Sequence, residues 1–164
     1  MVQFSYACEY RYNIFIQLPM KYLFLSILLI PGSFQLIAQN SDDIVGIWKH
    51  PDGNSMIKID RIGSAYQGRI TWLAIASDSY GKPLLDTNNP EPRMRNMPLK
   101  GIRVLRQLTY NQSKDAWENG TYYMFTEGKA YNCQIIMPDK QKIKIGRYSK
   151  EGILIEEEIW IGVK

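Results

Sequence analysis

The chain has 164 residues, 45% of them hydrophobic and 22% charged, and a formal net charge of +4. This is a one-domain length with apolar content enough for a core, which excludes a disordered, fibrous or disulfide-built protein. The basic residues are scattered rather than gathered into a stripe, so no nucleic-acid partner is expected.

The first pattern in chain order is Met20-Lys21, then the apolar run Tyr22–Ile30, then Pro31-Gly32 and a small residue at Ala38. A short basic segment, an apolar segment and a small residue at a cleavage site are the parts of a signal peptide. The run Tyr22–Ile30 is well short of the roughly 20 residues that span hydrocarbon. A signal peptide over 20–38, cut between Ala38 and Gln39, is therefore expected, with an uncleaved anchor as the alternative. No Cys follows the apolar run closely enough to carry a lipoprotein anchor. Residues 1–19 have no periodic pattern and set Cys8, Arg11 and Tyr12 ahead of the signal. They read as an upstream extension before a natural start at Met20, or as a long basic leader. The mature protein is then 39–164, periplasmic or secreted, with no stable membrane span after cleavage. Only Cys133 remains in it, so no internal disulfide forms and roughly 125 residues must build the fold from their core alone.

From Ile44 onward, Pro, Gly, Asn and Asp punctuate short stretches of period two, the pattern of strands. Strands are expected at Ile44–Lys49, Ser55–Ile62 and Ala65–Leu73, the third placing Tyr66, Gly68, Ile70 and Trp72 on one face. The stretch Ser77–Lys100 holds four prolines and no sustained period. Further strands are expected at Ile102–Leu108, Gly120–Phe125, Lys129–Met137, Gln141–Tyr148 and Ile153–Val163. Eight short strands without a three-turn helix predict an all-β, antiparallel domain, an up-and-down barrel in preference to a sandwich. Closure removes exposed edges, and a barrel of this size is either filled by side chains or holds one small ligand.

Gly46-Ile-Trp48, Pro51-Asp-Gly53, Leu84-Leu-Asp86-Thr-Asn88-Asn89-Pro90, Arg95-Asn-Met-Pro98-Leu-Lys-Gly101, Trp117-Glu-Asn119-Gly120 and Gly128-Lys-Ala-Tyr131 follow one another in this order. In this the chain resembles domain-of-unknown-function family 2147, exported bacterial proteins with a small lipocalin-like barrel. The resemblance covers nearly all of 44–162 and is most specific over Asp86–Gly101. It implies that fold, with Gly46 and Trp48 at the closed end of the barrel, and it carries no established activity or ligand. Three places depart from the family pattern: Met124-Phe125 replaces an Asp-Pro pair, Gly146-Arg147 reverses an Arg-then-Gly order, and Trp160-Ile-Gly162 replaces Trp-Thr-Arg.

Two sets of residues are candidates for binding a ligand. Asp86, Asn88, Asn89 and Arg95 belong to a loop stiffened by proline and by Asn and Asp side chains that close turns on their own backbone. That loop is either a structural lid over one barrel end or a polar binding site. The aromatics Tyr66, Trp72 and Tyr131 fall on inward faces, where they either line a pocket or form plain core. Arg147 shares a face with Ile143 and Ile145. If Ile153, Ile155 and Ile159 also face inward, Ile145 pairs with Ile155, and Arg147 and Glu157 stand inside at different heights. Arg147 then meets that acid or anchors an acidic headgroup, unless a bulge near Gly146 turns it to solvent.

No catalytic residue, metal site or cofactor is expected. The single histidine, His50, sits in a Lys-His-Pro turn that reads as exposed, Cys133 reads as a small buried hydrophobe, and no His/Cys cluster has zinc spacing. The reading that follows is a non-catalytic binder of a small, partly apolar or lipid-derived ligand. The alternative is a filled barrel that contacts an envelope protein; third is an enzyme using the carboxylates of the Asp86 loop.

Overall fold

The computed structural model describes residues 40–163, and the expected upstream extension and signal peptide lie outside them. Eight strands follow in order: β1 Gly46–Lys49, β2 Ser55–Ile62, β3 Ala65–Leu73, β4 Arg103–Asn111, β5 Ala116–Met124, β6 Lys129–Asp139, β7 Lys142–Tyr148 and β8 Leu154–Val163. Each pairs antiparallel with the next, and β8 pairs with β1, so the sheet closes into a barrel. The strand number and the antiparallel closed sheet are those expected. Among the described residues no helix is long and apolar enough to cross a membrane.

The interior is filled. Trp48, Ile57, Ile59, Tyr66, Ile70, Leu105, Leu108, Trp117, Tyr122, Cys133, Ile135, Ile143, Ile145 and Trp160 come from all eight strands, and none is more than 5% exposed. They form one apolar cluster. Burial of such side chains, at about 1.5–3 kcal/mol each, is the main stabilising contribution in a domain without disulfides.

One barrel end is closed by a 3-10 helix at Ser41–Ile44, which takes the residue expected to start β1. Three rings from three strands hydrogen-bond to it. Trp48 Nε1 donates to Ile44 O at 2.8 Å, Trp117 Nε1 to Ser41 O at 3.0 Å, and the Tyr66 hydroxyl to Asp42 Oδ1 at 2.7 Å. Large apolar rings with one polar handle suit this place, because the handle satisfies the turn while the ring fills the core.

Bulges decide which side chains face inward, and period two alone misses them. In β3, Ile70 pairs with Ile57 but Trp72 pairs with Met56, which leaves Thr71 as an extra residue. The parity flips there, so Trp72 is 41% exposed on the outer face and does not line the interior as expected. The β4–β5 hairpin is longer than expected, because Gln107 and Asn119, at φ of 58° and 63°, kink both strands without ending them. The kink presses Leu108 onto Gly120, where a Cβ would come within 2.5 Å of Leu108 Cδ2. Only glycine fits.

The last hairpin also departs from expectation. Ile145 pairs with Glu158, Ile143 with Trp160 and Arg147 with Glu156. The inward face of β8 is therefore Glu156, Glu158 and Trp160. Ile153, Ile155 and Ile159 point to solvent at 67%, 51% and 50% exposure, and Glu157 points out to Lys144.

Candidate functional site

The segment 74–102 leaves β3, folds on itself and returns to β4. Its turns are closed by its own polar groups, as proline and Asx chemistry require. The Asp86 amide donates to Met97 O, and Asp86 O accepts from the Asn89 amide, both at 2.9 Å. Asn89 Oδ1 accepts from the Glu91 amide at 3.0 Å, and Arg95 Nε donates to Asn89 O at 2.8 Å.

Two contacts strap this loop to the barrel. The buried Asp86 carboxylate accepts from Asn89 Nδ2 at 2.6 Å and from the Tyr123 hydroxyl at 2.8 Å. Burial and this carboxylate together push the Tyr123 hydroxyl up to about 12. Asn88 Nδ2 donates to Phe125 O and Thr126 O in the β5–β6 turn. Since Tyr122 points inward, Tyr123 points outward, so the loop lies along the outer wall and is not a lid on the barrel axis. Asp86, Asn88, Asn89 and Arg95 are brought together, but the bonds described bind them to the loop and its hairpin.

What the strap encloses is a groove. A half-open cavity of about 790 Å³ lies between the loop and the outer face of β3–β5. Met94, Met97, Pro98 and Ile102 supply its apolar side, Lys100, Arg103 and Arg106 its charge, and Gln67, Thr121 and Tyr123 its floor. A smaller hollow of about 340 Å³ continues it past Asn89 and shares Met94, Arg106, Thr121 and Tyr123. Gln67 Oε1 is buried here without a hydrogen-bond donor. Among the described residues Lys100, Arg103 and Arg106 form no salt bridge, and Arg106 Nε reaches only Arg103 O at 3.3 Å. None of the groove's basic residues was a candidate from sequence. Period two placed Arg103 and Arg106 on a strand, but a loop folded against that strand leaves no signal in it.

A second polar cluster plugs the open end of the barrel. Arg147, 5% exposed, pairs through Nη2 with Glu156 and with Glu158 Oε1, the latter at 3.3 Å. Glu158 Oε2 takes His50 Nε2 at 3.2 Å and Trp160 Nε1 at 3.0 Å, and His50 Nδ1 lies 2.7 Å from Asp52 Oδ1. His50 packs edge-on against Trp160 with ring centroids 4.8 Å apart, so it is not the exposed turn residue expected. The rings of Tyr122 and Tyr131 flank the Arg147 guanidinium at 5.8 and 5.6 Å. Tyr66 stands at the opposite end of the barrel, so the predicted aromatics do not gather into one pocket.

Burial alone would depress His50, but hydrogen bonds and charge from Glu158 and Asp52 outweigh it and raise its pKa. Burial alone would raise Glu158, but His50, Trp160 and Arg147 outweigh it and lower its pKa. A carboxyl acting as general acid needs the opposite shift. Cys133 is pushed up to about 12 by burial, away from nucleophilic reactivity. Among the described residues no three His, Cys, Asp or Glu side chains are placed to hold one metal ion.

Over residues 46–161 the chain matches the family described as uncharacterized protein conserved in bacteria, domain-of-unknown-function family 2147. No curated protein matches it. Among solved structures it is similar to protein HP1028 of Helicobacter pylori, which is described as belonging to the lipocalin family. The identity is 20%, the TM-score 0.60, and the match covers 74% of this chain and 83% of that one. At that identity the likeness is one of fold.

Proposed function

We infer a binding role from one premise: the chain belongs to domain-of-unknown-function family 2147 and folds as a filled lipocalin-like barrel. It is a non-catalytic binder of a small, partly apolar ligand, and the ligand lies in the groove between the 74–102 loop and the barrel wall. The observation that carries this is the groove itself, with Met94, Met97, Pro98 and Ile102 on one side and a cavity of about 790 Å³. Small-molecule sites are concave, largely apolar and of roughly 300–1,000 Å³. Methionine adapts to ligand shape better than a branched side chain does. The packed interior argues against the calyx as the site. Export belongs to the same reading and is supported by Met20-Lys21, the Tyr22–Ile30 run and Ala38.

Native mass spectrometry of the protein purified from its own envelope tests this. A retained small-molecule adduct is expected, lost on Met97→Glu, which sets a charge in the groove at a residue already 46% exposed. Protein that carries no adduct and binds no apolar fluorescent probe overturns the reading.

Two observations favour the alternative, a filled barrel that contacts an envelope protein: the packed interior, and an apolar stripe on the outer wall. Ile155, Ile159, Ile161 and Val163 on β8, with Ile47 on β1, form an apolar stripe of 38–51% exposed side chains. Such patches often mark interaction surfaces. Photocrosslinking from position 159 in intact cells would capture that partner.

A further inference from the structure

We propose that the outer wall of β7, β8, β1 and β2 docks on an anionic phospholipid surface. The isoleucines of β8 enter the headgroup boundary, and lysines on either side of them meet the phosphates. This goes beyond the groove and does not depend on it. Two observations carry it: where the exposed apolar side chains lie, and which charges stand among them.

The exposed apolar side chains are confined. Ile155, Ile159, Ile161 and Val163 point outward from β8 and Ile47 from β1, whereas β4–β7 expose no large hydrophobic side chain. Single surface hydrophobics need no explanation, but a contiguous line of them does. Register makes this line contiguous. Ile159, Ile161 and Val163 follow one another at the two-residue step of one sheet face, and Val163 stands opposite Ile47.

Charge says what covers the line. On β7, Lys144 stands opposite Ile159 and Lys142 opposite Ile161; on the other side, Lys49 stands opposite Ile161 and Lys58 opposite Ile47. The acids on this wall are Glu157, 3.1 Å from Lys144, and Asp60, 2.9 Å from Lys58. Lys142 reaches Asp139, at the end of β6, at 3.5 Å. Lysines outnumber acids, and surface pairs of this kind are weak enough to give way to phosphates. A second copy of the chain would bring lysine against lysine. A protein partner fits less well, because interface cores are rich in aromatic rings and arginine and poor in lysine, and this stripe is isoleucine and valine among lysines. A lipid surface fits both halves of that composition. The lysine stem lies along the isoleucines while its ammonium reaches the phosphates, and each lysine near an anionic leaflet adds attraction. Lysines level with the isoleucines also keep the barrel on the bilayer and not across it.

Co-sedimentation of the protein purified from its own envelope with vesicles tests charge and stripe separately. Vesicles of phosphatidylethanolamine and phosphatidylglycerol should bind it about tenfold tighter than phosphatidylcholine vesicles, and the gap should close as salt rises. Lys49→Gln/Lys144→Gln should erase that preference, whereas Lys129→Gln, on β6 across the barrel, should keep it. Ile159→Gln/Ile161→Gln, which leaves the charge unchanged, should weaken binding to the anionic vesicles about tenfold. None of these side chains is buried, so the variants stay folded, which a thermal melt verifies. A photocrosslinker at position 159 should attach to phospholipid, on the vesicles and in intact cells. Equal binding to the two kinds of vesicle, or binding to neither, overturns the proposal. So does a lysine double variant that keeps the preference, a Lys129→Gln that loses it, or an isoleucine double variant that binds as the wild type does. A crosslink from 159 to protein and none to lipid overturns it as well, and gives the stripe to the envelope partner.

Discussion

The backbone oxygen of Asn88 occupies the place where residue 128 would carry its Cβ. Gly128 is in the left-handed region at φ +68°, and an added methyl there would overlap Asn88 O. The tip of the β5–β6 turn and the loop that Asn88 belongs to are thus docked backbone to backbone, with Asn88 Nδ2 bonded to Phe125 O and Thr126 O beside them.

Gly128→Ala is therefore expected to destabilise the barrel by about 3 kcal/mol or more, combining left-handed strain with a clash the loop must move to relieve. Gly63→Ala is the control. Its φ is +64°, but nothing lies within 4 Å of its added Cβ, so strain alone should cost about 1 kcal/mol. Urea titration of the two variants measures the difference, and equal midpoints would mean that the loop does not rest on residue 128.

Asp86→Ala should cost about 2 kcal/mol, because it removes the acceptor of two hydrogen bonds from a buried place. It should also be seen at a second group. Without that carboxylate the Tyr123 hydroxyl should fall from about 12 toward the ordinary tyrosine value of 10.0, which an NMR titration resolves at the Tyr123 ring carbon, apart from Tyr110, which is also raised to about 12. A Tyr123 that still titrates near its original value would show that burial alone holds it there.

His50 gives the molecule a pH dependence with a definite sign. Its folded pKa is raised above 6.5 by Glu158 and Asp52, against the opposing effect of burial. The stabilisation is thus fully present below the unfolded value and is lost as pH rises through the folded one. Thermal melts from about pH 6 to pH 9 should show a falling midpoint. His50→Gln should flatten that slope. A midpoint that rises over the same window would place His50 outside the acid pair.

Strand number and barrel class were legible because turn residues and period two survive in the sequence whatever the neighbouring strands do. Facing was legible only between bulges. Thr71 turned Trp72 outward, and kinks at Gln107 and Asn119 hid half of the β4–β5 hairpin behind polar residues that read as a loop. The Asp86 block was legible as an ordered loop, since its Asn, Asp and Pro residues act locally. Where it docks was not, because nothing in the loop names Tyr123 or Gly128 as its partner. The groove's cations and the Glu156–Glu158 pair were missed for the same reason: each is made by elements distant in sequence.

The last hairpin shows how an apolar pattern misleads and what a charge can do instead. Ile155 and Ile159 in β8, with Ile153 just before it, share one parity, and burying them would turn Glu156, Glu158 and Trp160 to solvent. The barrel does the reverse: Arg147 already faces inward from β7, and an unpaired buried guanidinium is costlier than exposed isoleucines. Trp160 then fills the volume the isoleucines would have taken. On this account Arg147 holds the register. Arg147→Met should cost about 3–5 kcal/mol, the usual penalty for breaking a buried pair, because Glu158 is left inside with only His50 and Trp160. Adding Glu158→Gln should recover much of the loss, because no uncompensated charge then remains, whereas adding it to the wild type should not stabilise. Urea denaturation of the two single variants and the double variant forms the cycle. A double variant no more stable than Arg147→Met would mean that packing against Tyr122 and Tyr131, and not charge, is what Arg147 contributes.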